Sequence, residues 1–534
     1  MKFMQNIYPG KSIQLLAVCI LFFTATQAQL SISSKISVYN IIDYGAVGDG
    51  KISNTAAIQK AINDCHKHGG GTIVIPAGSF ITGTVRLFSN MNLYLEAGAI
   101  LTGSTQNNDY LYQKDFGFSG PGAGIKTGIL VAHHEQNISI SGQGIVTGNG
   151  TSFMYMDSLQ YGMDFAPKYT RQKDNYMNPK YGRDDGPVLW KGTYEERPGV
   201  MFIFSDCKNI TIRDIRLEES PNWTIAFLNS EDIKINGISI LNNMNIPNSD
   251  GIDMYDSKNI TISNCNIQAG DDAIAVVSSS NITASNCILH SRSSGIRIGY
   301  NVFNHNNSGN LLFNNISIYD SNRGIGIYQR QKGDMENMVF SNITISTRLH
   351  SGQWWGHGEP IHISSVPGLG SKETGCIRHV RFSNIIASSE SGILVYAASG
   401  GLIDDISFDN ITLSIKQSSL AEGYGGNFDL RPTNDIALGI FEHSIPAIYS
   451  ENADNVFMKD VHINWAKGLP SYFTHSVECR NFESVIIDGL HENIGGKGRN
   501  KVSTLYLHKG KTSIVKGITS TDKNKRLVIK DDKG

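Results

Sequence analysis

The chain has no excess charge of either sign. Its 46 Lys and Arg stand against 48 Asp and Glu, a net of −2. So balanced a chain carries no global basic field to hold nucleic acid, and function must come from local clusters. Proline is scarce, 14 residues against 55 glycines, and the glycines follow no collagen period. That combination means many tight turns rather than a fibrous or disordered chain. Cysteine is thinly spread as well. Beyond Cys19, the six cysteines (Cys65, Cys207, Cys265, Cys287, Cys376, Cys479) show neither CxxC nor Cys/His metal spacing and are too dispersed for a disulfide scaffold. Cys265 and Cys287 occupy matching places, SNCNI and SNCIL, which suit stacked buried thiols and a bridge equally.

Long apolar runs are missing with one exception. Ile13 to Phe23 follows Lys2 and Lys11 and precedes Thr26-Gln27-Ala28. This reads as a secretory signal spanning residues 1–28, too short to cross a bilayer and cleaved after Ala28. A lipoprotein cysteine at Cys19 fits less well, because apolar residues continue past it. The mature chain is expected in the periplasm or outside the cell, with no membrane span.

What the sequence has in quantity is one recurring phrase. NISI (137–140), NITI (209–212), NITI (259–262), NITA (281–284), NISI (315–318), NITI (342–345), NIIA (384–387) and NITL (410–413) each place an Asn turn before alternating β-branched residues. Steps of 23 residues (209 to DIKI at 232) and 22 residues (259 to 281), built only from strands, predict an all-β fold, a right-handed parallel β-helix whose coils cover one another's apolar faces. The repeated Asn is expected to stack coil on coil, its amide satisfying turn backbone groups. That ladder accounts for the N-x-[ST] matches better than glycosylation does. Residues 29–534 form one such domain. Its N-terminal cap, about 38–70, carries a short helix over 55–68 with Ala57, Ile58, Ala61 and Ile62 on one face and a GGG stop. A long insertion fills 345–384, a second occupies 413–455, and the basic stretch 506–534 reads as a frayed end or edge strand.

Two acidic motifs lie within the regular coils, NSDGID (248–253) and GDDAIAV (270–276). Asp250 and Asp271 are 21 residues apart, one coil, and stacking would bring them to about 5 Å with Asp272 alongside. Three carboxylates in one patch cannot all ionise cheaply, so one holds a proton near neutral pH. That supplies the acid and base of glycosidic bond cleavage. Taken singly, each Asp would pass for a turn residue or a calcium ligand; three on successive coils favour catalysis. Asp253 reads as a turn or ladder residue.

DYGAVGDGKISNTAAIQKAI (43–62), GGGTIVIPAGSFITG (69–83) and LEAGAIL (95–101) resemble the cap of pectin-degrading β-helix enzymes. With SPNWTI (220–225), NSDGID and GDDAIAV, the stretch 38–420 resembles glycoside hydrolase family 28, the polygalacturonase family. The resemblance implies a shallow cleft that hydrolyses glycosidic bonds with inversion, without metal or cofactor. Asp271 would be the general acid, Asp250 and Asp272 would position and deprotonate water, and Asn248 of the Asn-x-Asp motif would contact substrate.

Two departures bear on the substrate. Where the family has Gly-His-Gly, SRSSGIRIGY (291–300) puts Ser294 in place of the histidine. Where it has Arg-Ile-Lys, RGIGIYQR (323–330) puts Gly326 and Tyr328. Arg292, Arg297, Arg323 and Arg330 are the candidates to replace the lost cations. In the 345–384 insertion, Trp354 and Trp355 are placed to stack on sugar rings, with His357, Glu359 and His362 as polar contacts. Trp223 reads as packing beneath the site. The expected partner is an acidic polysaccharide or oligosaccharide, galacturonan first, then rhamnogalacturonan or an algal glycan. The protein is expected to act as a monomer, and the two insertions would close one end of the cleft and favour exo action. A β-helix polysaccharide lyase and a non-catalytic glycan-binding β-helix are the competing readings.

Overall fold

The computed structural model describes residues 37–531 apart from 118–123, 160–166, 177, 182–187, 193–195, 301–305, 353, 369, 400, 432 and 496–501. The signal segment 1–28 lies outside the described residues. Among those described, no helix is long and apolar enough to cross a membrane.

The strands assemble into one 34-stranded system in which each coil pairs in parallel with the next. Parallel strands joined by such crossovers wind right-handed, and the result is a right-handed parallel β-helix. In a regular coil three short strands turn two corners, as in Ile252–Tyr255, Lys258–Ser263 and Asn266–Ala269. Alternation puts every second residue inside. Ile233, Ile260, Ile282, Leu311 and Met338 therefore form one continuous buried row. Farther along, Phe313, Phe340, Phe382 and Phe408 stack nearly parallel with ring centroids 4.9–5.2 Å apart. Helix Thr55–Lys67 closes the N-terminal end, burying Ile58, Ala61, Ile62 and Cys65.

The asparagine ladder is present, but its bonding differs from the expectation. The amides bond one another along the exposed edge: Asn209 donates to Asn137 at 2.8 Å, Asn281 to Asn259 at 3.1 Å and Asn310 to Asn281 at 3.0 Å. Each of these residues has φ between 56° and 59°, left-handed geometry that Asn tolerates and β-branched residues do not. The buried turn N–H groups are instead satisfied by serines. Ser230, Ser257 and Ser279 hydroxyls accept from the N–H of Cys207, Ser230 and Ser257 at 2.9–3.0 Å.

Three stretches take definite form. Residues 345–384 are not one insertion, because strand Ile361–Ser365 returns to the stack and splits it into two loops. Of the two readings of the 506–534 stretch, its described part takes the edge strand: Leu505–Ser520 joins the stack and Val528–Asp531 pairs along it. The 413–455 insertion carries a small antiparallel hairpin, Asn427–Asp429 with Ile440–Glu442. All six described cysteines are free and buried, so Cys265 and Cys287 are stacked thiols and not a bridge.

Candidate active site

Three stacked strands build the site: Ile252–Tyr255, Ile274–Val277 and Ser294–Gly299, in register through Ile252, Ile274 and Ile296. Asp250 and Asp272 stand two residues before the first two strands, so the register pairs Asp250 with Asp272 and not with Asp271, the partner expected from spacing. The Gly251 N–H donates to the Asp272 carbonyl at 2.9 Å. A Cβ at Gly251 would lie 2.3 Å from the Ala273 carbonyl, so only glycine allows this approach. Asp271 sits beside the stacked pair and accepts a 3.4 Å hydrogen bond from the Asn248 amide. One oxygen of each of Asp250, Asp271 and Asp272 lies within 4.8 Å of the others, and all three residues are buried.

Arg297 is the hub beneath them. Its Nε donates to Asp272 Oδ2, and its Nη2 reaches Asp253 Oδ1 at 3.5 Å and Asp250 Oδ2 at 3.9 Å. The neighbours of Arg297 in its column are Ala275 and Gly326, whose small size leaves room for the guanidinium to lie across the sheet. The other oxygen of Asp272 accepts from Ser293 Oγ at 2.9 Å and from the Ser294 N–H at 3.0 Å. Asp253 is neither a turn nor a ladder residue. It sits within a strand, fully buried, and neither carboxylate oxygen has a hydrogen-bond partner.

Four carboxyl groups around one cation must share protons. Burial, then the charge of Asp272, pushes Asp271 up to about 7. Burial, then Asp253, Asp271 and Asp272, pushes Asp250 well above the carboxylate range. Burial does the same to Asp253, against the pull of Arg297. With Asp272 matched to Arg297, the other three carboxyls, Asp250, Asp253 and Asp271, are all pushed toward the protonated form and share protons near neutrality.

A cavity of about 270 Å³ opens above these residues. Its far wall is a second buried ion cluster. Arg323 contacts Glu359 at 3.2 and 3.3 Å and Asp429 at 3.0 Å, and Arg431 contacts Asp429 at 2.8 and 2.9 Å. Burial acts upward on Glu359, but Arg323 and then His362 bring it down to about 2. Arg431 also lies over the Trp355 ring, 4.8 Å from its centroid.

Of the residues singled out in the sequence, Asn248, Asp250, Asp271, Asp272, Ser294, Arg297, Arg323, Tyr328 and Trp355 line this cavity. Four do not. Arg292 bonds His350 at 2.6 Å and lies over Trp354. Trp354 is packed under the loop, its carbonyl accepting from Arg431. His357 is buried, bonded to the Tyr424 carbonyl and stacked on Tyr176. Arg330 donates to the Tyr300 carbonyl at 2.7 Å. Trp223 is a wall residue rather than packing beneath the site, stacked on Tyr255 at 5.3 Å. Sequence reasoning missed Tyr255, Ser293, Tyr300, Asp429 and Arg431 as lining residues.

Two groups have metal-ligand spacing among the described residues: the three aspartates, and His133, His134 and Asp206. In the first, a metal would compete with the donors already held by Asp272.

The family model described as Glycosyl hydrolases family 28 matches residues 185–352, the segment that contains the three aspartates and Arg297. Over that segment the chain is similar to glycosyl hydrolases family 28. A second model, Rhamnogalacturonase A/epimerase, pectate lyase-like, matches residues 38–166. An exo-poly-alpha-D-galacturonosidase of Dickeya chrysanthemi is 31% identical over 250 residues, 44% of this chain and 41% of that protein. A probable polygalacturonase of Vitis vinifera is 29% identical over 45% of this chain and 44% of that protein. The matched stretches thus span less than half of these relatives' length. Among solved structures, a family 28 exopolygalacturonase of Yersinia enterocolitica superposes with a TM-score of 0.61 at 17% identity, over 91% of this chain and 79% of that one. An exopolygalacturonase of Thermotoga maritima gives 0.54 at 18% identity, over 80% and 92%. Both share the β-helix fold.

Proposed function

We propose that the chain is an exported, monomeric inverting glycoside hydrolase that cleaves a pectin-type polysaccharide or oligosaccharide from a chain end. The observation that carries this reading is the placement of Asp271, a buried acid pushed up to about 7, beside Asp250, whose Oδ1 has no hydrogen-bond partner. Asp271 gives its proton to the leaving glycosidic oxygen. Water attacks the anomeric carbon and passes a proton to Asp250. Asp272, fixed by Arg297, Ser293 and Ser294, orients that water. Exchange with solvent then returns a proton to Asp271. Action at a chain end is supported by the small cavity and by the hairpin that brings Asp429 to its far wall. The name of one relative, the exo-poly-alpha-D-galacturonosidase of Dickeya chrysanthemi, agrees with exo action on galacturonan.

One observation favours a second reading. Oxygens within 4.8 Å are as close as the carboxyl groups of retaining enzymes, about 5–5.5 Å apart. Asp272 has both oxygens engaged, so Asp250 would then be the nucleophile. Proton NMR of the first-formed sugar separates the two. Inversion of anomeric configuration is expected; net retention would assign Asp250 to covalent attack.

A further inference from the structure

We infer that the residue bound at the reacting position is an uncharged sugar and not a uronate, even where the rest of the glycan is acidic. This rests on the hydrolase reading above and names the substrate class of the same site.

The cavity is lined by three guanidiniums, Arg297, Arg323 and Arg431, and each is already matched by a buried carboxylate. Arg297 is held by Asp272 and Asp253, Arg323 by a double contact to Glu359, and Arg431 by a double contact to Asp429 that Arg323 shares. Further donors of two of them are spent on backbone: Arg297 Nη1 on the Gly299 carbonyl at 2.8 Å and Arg431 Nη2 on the Trp354 carbonyl. Asp272, Glu359 and Asp429 thus cancel the three cations one for one. Asp250 and Asp271, the remaining carboxyls at the cavity floor, supply acceptors and acids but no cation. A uronate carboxylate placed here would be desolvated beside buried carboxyls, and among the described lining residues every cation is already matched by a carboxylate.

The wall offers neutral recognition instead. Tyr328 is 4% exposed, lines the cavity, and its hydroxyl has no hydrogen-bond partner. That phenol lies over Gly326, where a Cβ would meet its oxygen at 2.3 Å, so the missing side chain at 326 creates the space it fills. Burial keeps the phenol protonated, and a protonated phenol suits a sugar hydroxyl as donor and acceptor. Trp223 and Trp355 supply aromatic surfaces for the apolar face of a sugar ring.

The test compares oligosaccharides that differ at the non-reducing end: an oligogalacturonide, the same oligomer after carboxyl reduction to galactose, and a rhamnosyl-ended rhamnogalacturonan fragment. At least one neutral-ended substrate should be cleaved with kcat/KM about tenfold or more above the uronate-ended one, releasing a neutral monosaccharide. Asp429→Asn, which frees two guanidiniums, should narrow that ratio. Release of galacturonate as the favoured product would overturn the inference while upholding the hydrolase. If no substrate is cleaved, the hydrolase reading fails, and titration of the wild-type protein with galacturonate and galactose decides the inference alone: tighter galacturonate binding overturns it, tighter galactose binding supports it.

Discussion

Asp250 lies over Asp272 on the neighbouring coil, with the Gly251 N–H donating to the Asp272 carbonyl at 2.9 Å. This register leaves Asp271 to one side as the carboxyl that the Arg297 guanidinium does not hold. In the proposed mechanism its proton sets the alkaline limb of activity. Asp271, raised to about 7, must be protonated to act as acid, so kcat/KM should fall as pH rises through about 7. A pH–rate profile on a neutral-ended oligosaccharide checks this, since such a substrate does not titrate in that range.

Arg297 holds Asp272 and faces Asp253, all of them buried. Arg297→Ala leaves the buried Asp272 carboxylate without its cation and should cost about 3–5 kcal/mol of stability along with activity. Arg297→Lys keeps the charge but loses the fork geometry, so it should recover stability better than turnover. Denaturant titration and initial rates, measured on the same preparations, separate the two effects.

Asp253 gives a pH-dependent stability prediction. Its folded-state pKa is raised by burial, so its contribution is fully present below the unfolded value of about 3.9 and is lost as pH rises through the folded pKa. Asp253→Asn removes that loss. The variant should gain on wild type by about 1–3 kcal/mol more at pH 8 than at pH 5. Melting curves at the two pH values test it.

The repeat phrase, the cap helix and the three aspartates were legible in the sequence because each follows from local pattern: Asn before β-branched residues, Ile58 and Ala61 on one helical face, acids on successive coils. The pairing partner of Asp250 was not. A coil of 21 residues and one of 22 differ only in how the turn closes, and Gly251 settles that in three dimensions. Asp253 was misread because an acid in a buried strand looks like a turn residue until Arg297 is seen beneath it. Asp429 and Arg431 come from a hairpin in the 413–455 insertion, about a hundred residues beyond Arg323, with no periodicity to reveal where they return. His357 and Trp354 lie within two residues of Trp355 in sequence, but the loop turns them inward onto Tyr424 and Arg292.

The core predicts separable stability and function. Phe340 lies mid-way in the four-ring stack and is fully buried. Phe340→Ala should cost about 3–5 kcal/mol through lost burial and a cavity. Turnover per folded molecule should be unchanged, because the stack lies in a different face of the helix from the aspartates. Chemical denaturation with active-site-normalised rates reads both quantities.

The most direct test of the account is sugar release by wild type and Asp271→Asn, assayed on a panel of pectic and algal oligosaccharides with thermal melting of both proteins. Wild type should release sugar with a new reducing end, and Asp271→Asn should lower the rate by about 10²–10⁴-fold with its melting transition intact. Equal release by the two proteins, or a product absorbing as an unsaturated uronate, would contradict it.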